Sequence, residues 1–257
     1  MFARRIDHFT ISAGTARSAC QVLNDATLTA YFPFDTTDSF SDYSFNLFKG
    51  MASNLTIRSE GRIGQAAYFT SNISYFQVQC FPIVRNVSTA NPPFTFSLWL
   101  NPSTSTIGGS IIHISSLAHG NGSICYDLLA LSSTGALVVQ SMGPTSTVLG
   151  WQGSILSRDT WTHVAIIYSQ EDGLRLFINA QLSITSSLAS VPYNLIRWDF
   201  PLFVTLGNNS PLGSAATVGC SSGAVPFVAG PYRGGIDDFR LYSRELDTQE
   251  LCALANL

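Results

Sequence analysis

Short runs of alternating apolar and polar residues, broken at regular intervals by turn signals, limit this chain more than any other feature. Phe94, Phe96, Leu98 and Leu100 alternate with Thr95, Ser97 and Trp99, which reads as a strand with one buried face. Similar runs cover 28–34, 66–69, 74–79, 110–114, 126–131, 136–140, 161–168, 174–178, 203–206 and 235–242. The run from Trp161 to Tyr168 is apolar on both faces, as an interior strand requires. Many short strands at this spacing argue for an all-β sandwich or barrel. Turn chemistry agrees. Ser132–Gly135 links two runs, Gln170-Glu-Asp-Gly173 carries an Asp-Gly hairpin signal, and Asn179-Ala180 makes the next bend. Only the C-terminus reads as a helix, with Asp247 as N-cap and Glu250 reaching back in a capping box.

Size and composition fit one such domain. A sandwich of 257 residues buries a full core without help from metals. With 17 Phe, 9 Tyr and only 11% charged residues, the chain lies outside the disordered class. Residues 1–26 read as a partly ordered lead-in and 27–257 as the domain. Lys49 is the only lysine, so twelve of the thirteen basic residues are scattered arginines, and the net charge is −3. Nucleic-acid binders concentrate positive charge on one face, so nucleic acid is not expected as a partner, nor is an anionic membrane surface. No apolar run approaches the ~20 residues of a spanning helix, and membrane insertion is not expected. The basic N-terminus lacks an apolar stretch after it and does not read as a signal peptide.

Five cysteines, Cys20, Cys80, Cys125, Cys220 and Cys252, show no metal spacing. This many in a lysine-poor β chain points to an oxidising, extracellular or secreted setting. Sequons occur at Asn54, Asn72, Asn86, Asn121 and Asn208, against about three expected by chance, and mark these as candidate glycosylation sites.

Three segments read as irregular: 141–159, 186–201 and 208–233. Structureless stretches beyond about 12–15 residues are usually functional or disordered. Trp151, Tyr193, Trp198 and Tyr232 lie in or beside them, as candidate ligand contacts or as plugs of the sandwich ends.

An ordered set of motifs is similar to the laminin-G-like, concanavalin A-like jelly-roll family. It comprises Tyr31-Phe-Pro-Phe-Asp35, Asp42, Gly64–Phe69, Phe94–Leu100, Trp161–Tyr168, Gly173–Asn179, Leu206-Gly-Asn-Asn209 and Gly235–Leu246. The Asn-Gly usual after the Leu-Arg-Leu strand is Asn179-Ala180 here, and the 208–233 loop is longer than usual. The resemblance implies a two-sheet antiparallel jelly roll whose first and last strands are adjacent. That adjacency implies a Cys20–Cys252 bridge, with Cys80–Cys125 as a second pair and Cys220 free. It also brings Asp237 or Asp238 near Asp35, Asp38, Asp42 and Asn46, where a structural calcium is expected from Asp35, Asp42, Asp237 and Asp238. Hard cations take carboxylate and carbonyl oxygens in such turns; the alternative is that the aspartates satisfy loop amides.

Catalysis finds little in the residues. A retaining glycosidase needs two carboxylates about 5–5.5 Å apart. A Glu-x-Asp-x-Glu strand would supply them, and the only glutamates are Glu60, Glu171, Glu245 and Glu250, in turns or near the C-terminus. Gly219-Cys-Ser221-Ser-Gly223 matches a hydrolase pattern but lies in a Gly/Ser-rich loop rather than a strand-to-helix elbow. His8, His113, His119 and His163 show no metal spacing. The expectation is a non-catalytic, lectin-like domain that binds glycans or extracellular protein partners through rim loops. A glycoside hydrolase on the same fold and a structural adhesion module are the alternatives.

Overall fold

The computed structural model describes residues 27–35, 38–79, 92–122, 124–142, 148–186, 202–211, 220, 225, 227 and 230–257. They form two antiparallel sheets and a C-terminal helix, as expected for a jelly-roll sandwich. The strands are β1 (Leu28–Phe32), β2 (Gly50–Ser53), β3 (Leu55–Arg58), β4 (Ala66–Phe69), β5 (Tyr75–Gln79), β6 (Phe94–Pro102), β7 (Gly109–Ser115) and β8 (Cys125–Leu131). They continue with β9 (Ala136–Met142), β10 (Val148–Ile155), β11 (Thr162–Ser169), β12 (Gly173–Ile178), β13 (Gln181–Thr185), β14 (Phe203–Leu206) and β15 (Gly234–Tyr242), then α1 (Thr248–Ala255). The eight-stranded sheet runs β13-β12-β11-β6-β15-β4-β3, with β1 also on β15. The seven-stranded sheet runs β10-β9-β8-β7-β14-β5-β2. Among the described residues no helix is long and apolar enough to cross a membrane.

Inward positions of both sheets interdigitate around a core rich in phenylalanine. Phe32, Phe34, Phe69, Phe76, Phe96 and Phe239 are fully buried. Phe32 meets Phe76 edge-on at 4.9 Å between ring centres, and Phe96 stacks on Phe239 at 6.1 Å. Burial of each such ring contributes about 1.5–3 kcal/mol. On the outer side of the eight-stranded sheet a second cluster joins Ala165, Ile167, Phe177 and Tyr242 to Leu246 and Leu251. It seats α1, whose start carries the expected capping box: Glu250 N–H donates to Asp247, and Asp247 N–H donates to Glu250. Arg244 pairs with Glu250 and Arg175 with Glu245, pinning the chain on either side.

Along one edge β15 pairs first with β4 (Gly234–Ile236 against Phe69–Ala67) and then with β1 (Phe239–Tyr242 against Phe32–Leu28). First and last strands are therefore adjacent, as the resemblance implied. The register of β15 on β6 jumps between Asp237 and Arg240. The sequence explains the jump. Ile236, Phe239 and Leu241 all face the core, a spacing of three and then two that a strict period of two cannot serve. A bulge at Asp238 (φ 52°) absorbs the extra residue and leaves Asp237 and Asp238 both outside the core.

Two readings are corrected, and a third falls outside the described residues. Segment 141–159 is not irregular, since it contains β10 at the edge of the seven-stranded sheet; the Gly150 and Gly153 it carries blurred the alternation. The Cys80–Cys125 pair does not form, because Cys125 bonds to Cys220, with Cα atoms 4.9 Å apart. Register accounts for this. Gln79, Phe203, Ser115 and Cys125 lie in one row across β5, β14, β7 and β8. Three strand spacings of about 4.8 Å put Cys125 roughly 14 Å from the end of β5, too far for a bridge. Cys252 is a free, exposed thiol, and its expected partner Cys20 lies outside the described residues. On α1 the buried position is Leu251, so the next residue turns to solvent.

The β12–β13 hairpin turns through Asn179 (φ 49°) and Ala180 (φ 61°). Both adopt left-handed backbone, so the turn keeps the conformation that Asn-Gly would give, with an alanine in the glycine place. An L-residue there costs roughly 1–2 kcal/mol, partly offset by glycine's greater freedom in the unfolded chain. Ala180→Gly is expected to raise unfolding stability by about 0.5–1 kcal/mol, read from the denaturant midpoint at unchanged slope.

Candidate functional site

Asp35, Asp237 and Asp238 meet where β15 changes partner from β4 to β1. The end of β1 supplies Asp35, the turn before β4 supplies Arg62–Gln65, and the bulge supplies the two other aspartates. Asp35 Oδ1 accepts from Gln65 N–H at 2.6 Å. Gly64 (φ 59°) is required beside it, since a Cβ there would lie 2.5 Å from Asp35 Oδ1. Asp237 Oδ2 accepts from Arg62 and Ile63 N–H at 2.8 and 3.2 Å. Asp238 Oδ1 accepts from the Tyr31 hydroxyl at 2.7 Å and from Arg240 at 3.1 Å, and that guanidinium lies 4.3 Å over the Tyr31 ring. Burial pushes the Asp237 carboxyl up to about 7; the Ile63 and Arg62 amides oppose this, and the charges of Asp238 and Asp35 add to it. Burial likewise raises Asp35, with Asp238 adding to it and the Gln65 amide opposing.

Asp237 Oδ1 and Asp238 Oδ2 are buried without a hydrogen-bond partner. Two such oxygens on adjacent residues, with Asp35 close by, have the donor chemistry a hard divalent cation selects. Among the described residues no three carboxylate, histidine or cysteine groups form a metal cage, so carbonyl oxygens would have to complete any coordination. Asp42 does not belong with them, which corrects the expected set. Its carboxylate accepts from the N–H groups of Tyr31, Ser44 and Phe48 at 2.8, 2.8 and 2.9 Å and closes the 42–48 loop. Asp38 bonds to Ser41, and Asn46 donates to Thr29 O at 2.9 Å.

A second polar arrangement lies on the outer side of the seven-stranded sheet. Gln77, Thr205, His113 and Asp127 stand side by side across β5, β14, β7 and β8. All four are buried. Asp127 Oδ1 accepts from Ser110 Oγ and lies 3.0 Å from His113 Nδ1, while Oδ2 accepts from Asn209 at 3.3 Å. His113 Nε2 lies 2.8 Å from Gly120 O, and Gln77 donates to Ala118 O and Thr205 Oγ1 at 2.9 and 2.8 Å. The 116–122 loop and Asn209 thus cover the row, and the Cys125–Cys220 bridge ties part of the 208–233 segment over it. Asp127 is the only carboxylate in the strands of this sheet. Ser110 contacts Asp127 and not His113, so these three do not form a nucleophilic triad.

An open groove lies at the other sheet edge. β10 and β13 come together there around a groove of ≈ 440 Å³ lined by Ser154, Ile178, Asn179, Gln181, Leu182 and Ser183. Hydroxyls and carboxamides alternate with two aliphatic side chains, and no lining group titrates. Asn179 Oδ1 accepts from His163 N–H at 3.0 Å, which fixes one wall.

Of the expected aromatic contacts, neither Tyr232 nor Trp151 lines this groove. Tyr232 is fully buried, donates to Gly235 O at 3.1 Å and meets Phe69 edge-on, so it plugs the sandwich end and is not a ligand anchor. Trp151 lies on β10 with its half-buried ring against the core. Tyr193, Trp198, Cys80 and Asn86 lie outside the described residues, as do Ser221 and Gly223 of the hydrolase-like pattern. Asn54 and Asn72 are exposed and Asn121 is half-buried. Asn208 is 2% exposed and donates to Asn72 O at 2.9 Å, so its amide is not free to carry a glycan in the folded chain. The groove residues were missed because no titratable or aromatic group marks them, and only the pairing of β12 with β13 brings them together.

A sequence model described as the concanavalin A-like lectin/glucanases superfamily matches residues 75–252. The chain belongs to that superfamily. A search of curated proteins finds no match. Among solved structures, the chain is similar to domain 4 of an extracellular GH43 arabinanase from Geobacillus stearothermophilus, solved with arabinotriose (19% identity, 89% of this chain and 98% of that one, TM-score 0.53). It is also similar to the binding domain of paraclostridial mosquitocidal protein 1 (17% identity, 90% and 52%, TM-score 0.60). The third is the botulinum neurotoxin serotype D binding domain (13% identity, 93% and 52%, TM-score 0.62). The chain spans about half the length of either toxin domain. At these identities the likeness is one of fold.

His163 sits on the outer side of the eight-stranded sheet, with Nε2 2.9 Å from Ser97 Oγ and Trp99 edge-on at 5.3 Å. Burial, with the Arg240 charge, lowers it from 6.5 to about 4. Above about 6.5 it is neutral whether folded or not, and it does not affect stability. As pH falls below that, the unfolded chain takes up the proton first and the fold loses stability, by on the order of 3 kcal/mol once pH reaches about 4. Over the same window Asp237, raised to about 7, acts in the opposite sense, so the contribution of His163 is read as a difference: from pH 7 to 5 the native chain is expected to lose ~2 kcal/mol relative to His163→Gln in denaturant unfolding.

Proposed function

We propose that this chain is a non-catalytic recognition domain that binds a short, neutral glycan in the groove between β10 and β13. The observation that carries the reading is the groove's lining. Ser154, Asn179, Gln181 and Ser183 offer donors and acceptors to hydroxyls, and Ile178 and Leu182 offer apolar surface to a sugar's C–H face. The absence of titratable groups from that lining favours an uncharged ligand. The arabinanase domain, which was solved with a trisaccharide, lends the reading support at the level of fold. A hydrolytic role is disfavoured because Asp127, buried and bonded by its neighbours, is the only carboxylate of the seven-stranded sheet's strands. The Cys125–Cys220 bridge supports an oxidising, extracellular setting.

Glycan arrays run with and without calcium are expected to give hits among neutral oligosaccharides. Gln181→Ala combined with Ser183→Ala is expected to weaken them by about tenfold, as loss of one or two net hydrogen bonds implies. No hits in either condition, or hits untouched by the double substitution, would sink the groove as the site.

The proposal includes one structural calcium, held by Asp237 and Asp238 with Asp35 beside them, where it would neutralise crowded carboxylates and lock the β1–β15–β4 junction. Calcium at a hundredfold excess over its dissociation constant would stabilise the fold by about 2.7 kcal/mol. A melting temperature that rises with calcium, falls with chelator and no longer responds in Asp237→Asn is the expected result. An identical melting curve in all three conditions would remove the ion.

A further inference from the structure

The 42–48 loop, between β1 and β2, presents the two most exposed large apolar side chains of the described residues, Phe45 at 78% and Leu47 at 77%, with Tyr43 beside them at 50%. Exposure here is built in. Asp42 and Ser44 beside them are buried, with Asp42 capping the loop and Ser44 Oγ donating to Thr29 O at 2.9 Å, while the exposed Asn46 donates to the same carbonyl. Leu47 is held at φ 53°, a conformation that costs an L-residue free energy and here serves display. The foot of the loop is fixed in the core, since a Cβ at Gly50 would lie 2.4 Å from the Phe76 ring.

We propose that this loop is a lipid-interface anchor: Tyr43, Phe45 and Leu47 enter the headgroup and upper acyl region of a bilayer, with Lys49 at headgroup level. Two observations favour lipid over a protein partner. Four of the loop's backbone N–H groups are already met within the fold: N–H of Tyr43 donates to Tyr31 O, N–H of Ser44 and Phe48 to Asp42, and N–H of Asn46 to Ser44 Oγ. A protein partner could satisfy such groups itself, whereas lipid tails cannot. Finally, Lys49, the only lysine of the chain, is exposed immediately after the loop. Its long stem suits the boundary between apolar and headgroup layers. The loop's own carboxylate, Asp42, is buried and bonded inward, so its charge does not face the lipid. The scattered arginines still argue against electrostatic capture by an anionic surface. Apolar insertion needs no basic patch, and binding is therefore insensitive to salt.

The test uses vesicles of pure phosphatidylcholine, which carry no glycan, so its failure leaves the groove reading untouched. Phe45→Trp is expected to add a blue-shifted emission component on vesicle addition, read against the background of the four native tryptophans and quenched by brominated acyl chains. High salt is expected to leave it unchanged. Phe45→Ser and Leu47→Ser are each expected to lower vesicle partition by about tenfold, with melting temperature unchanged because both side chains are exposed. Three results would overturn the proposal: no spectral shift at any lipid concentration, partition undiminished in the double serine variant, or self-association through the loop without vesicle binding.

Discussion

Strand β15 holds the molecule together at the point where its own regularity fails. It lies in the middle of the eight-stranded sheet, bonded to β6 along one side and to β4 and then β1 along the other. One strand thus ties β1, the β3–β4 pair and β6 into a single sheet. Keeping Ile236, Phe239 and Leu241 in the core demands a bulge, and the bulge demands that two consecutive residues leave the core face. Both are aspartates. Their backbone position is fixed by apolar packing on the far side of the sheet, and their charge is then met by the Arg62 and Ile63 amides, Arg240 and Tyr31. The acidic junction follows from core packing rather than from any motif of its own.

The seven-stranded sheet distributes its polar groups differently, and this decides where a ligand can sit. A row of Gln77, Thr205, His113 and Asp127 would make an adhesive polar floor if it were open. It is instead closed by Ala118, Gly120 and Asn209, and the Cys125–Cys220 bridge fastens a segment ninety-five residues downstream to the start of β8. Among the covering groups, the carboxamide oxygen of Asn209 is the one buried atom left without a partner. Opening the row would cost those bonds together, since a buried polar group left unpaired costs about 1–3 kcal/mol. This face is therefore closed, and the proposed ligand site lies at the sheet edge instead.

Period-two alternation and turn chemistry made most strands and the helix cap legible in the sequence, and the family resemblance supplied the adjacency of first and last strands. The elements it missed share a physical cause. β2, β3, β10 and β13 are edge or near-edge strands, only partly buried, so their sequences need not alternate cleanly. Asp35, Asp237 and Asp238 were legible as neighbours because strand adjacency places them. Asp42 was misassigned because proximity in sequence says nothing about which amides a carboxylate will cap. The disulfide was misassigned for a related reason. Cysteine spacing carries no register, and it is register that separates the end of β5 from Cys125 by three strands. The groove was invisible because serine, asparagine and glutamine announce nothing until two sheet edges bring them together.

Topology also relates the two proposed surfaces. β13 and β10 form one border of the sandwich, while β3 and β2 form the opposite border in their respective sheets. The groove belongs to the first border, and the 42–48 loop leads directly into β2 on the second. Six strand spacings of about 4.8 Å separate them, roughly 29 Å across the sheet. A domain resting on a bilayer through Phe45 and Leu47 would therefore present the β10–β13 groove on its far side, away from the lipid. In that orientation the groove would be disposed towards glycans extending from another molecule or surface, and away from headgroups of the bilayer that the loop enters.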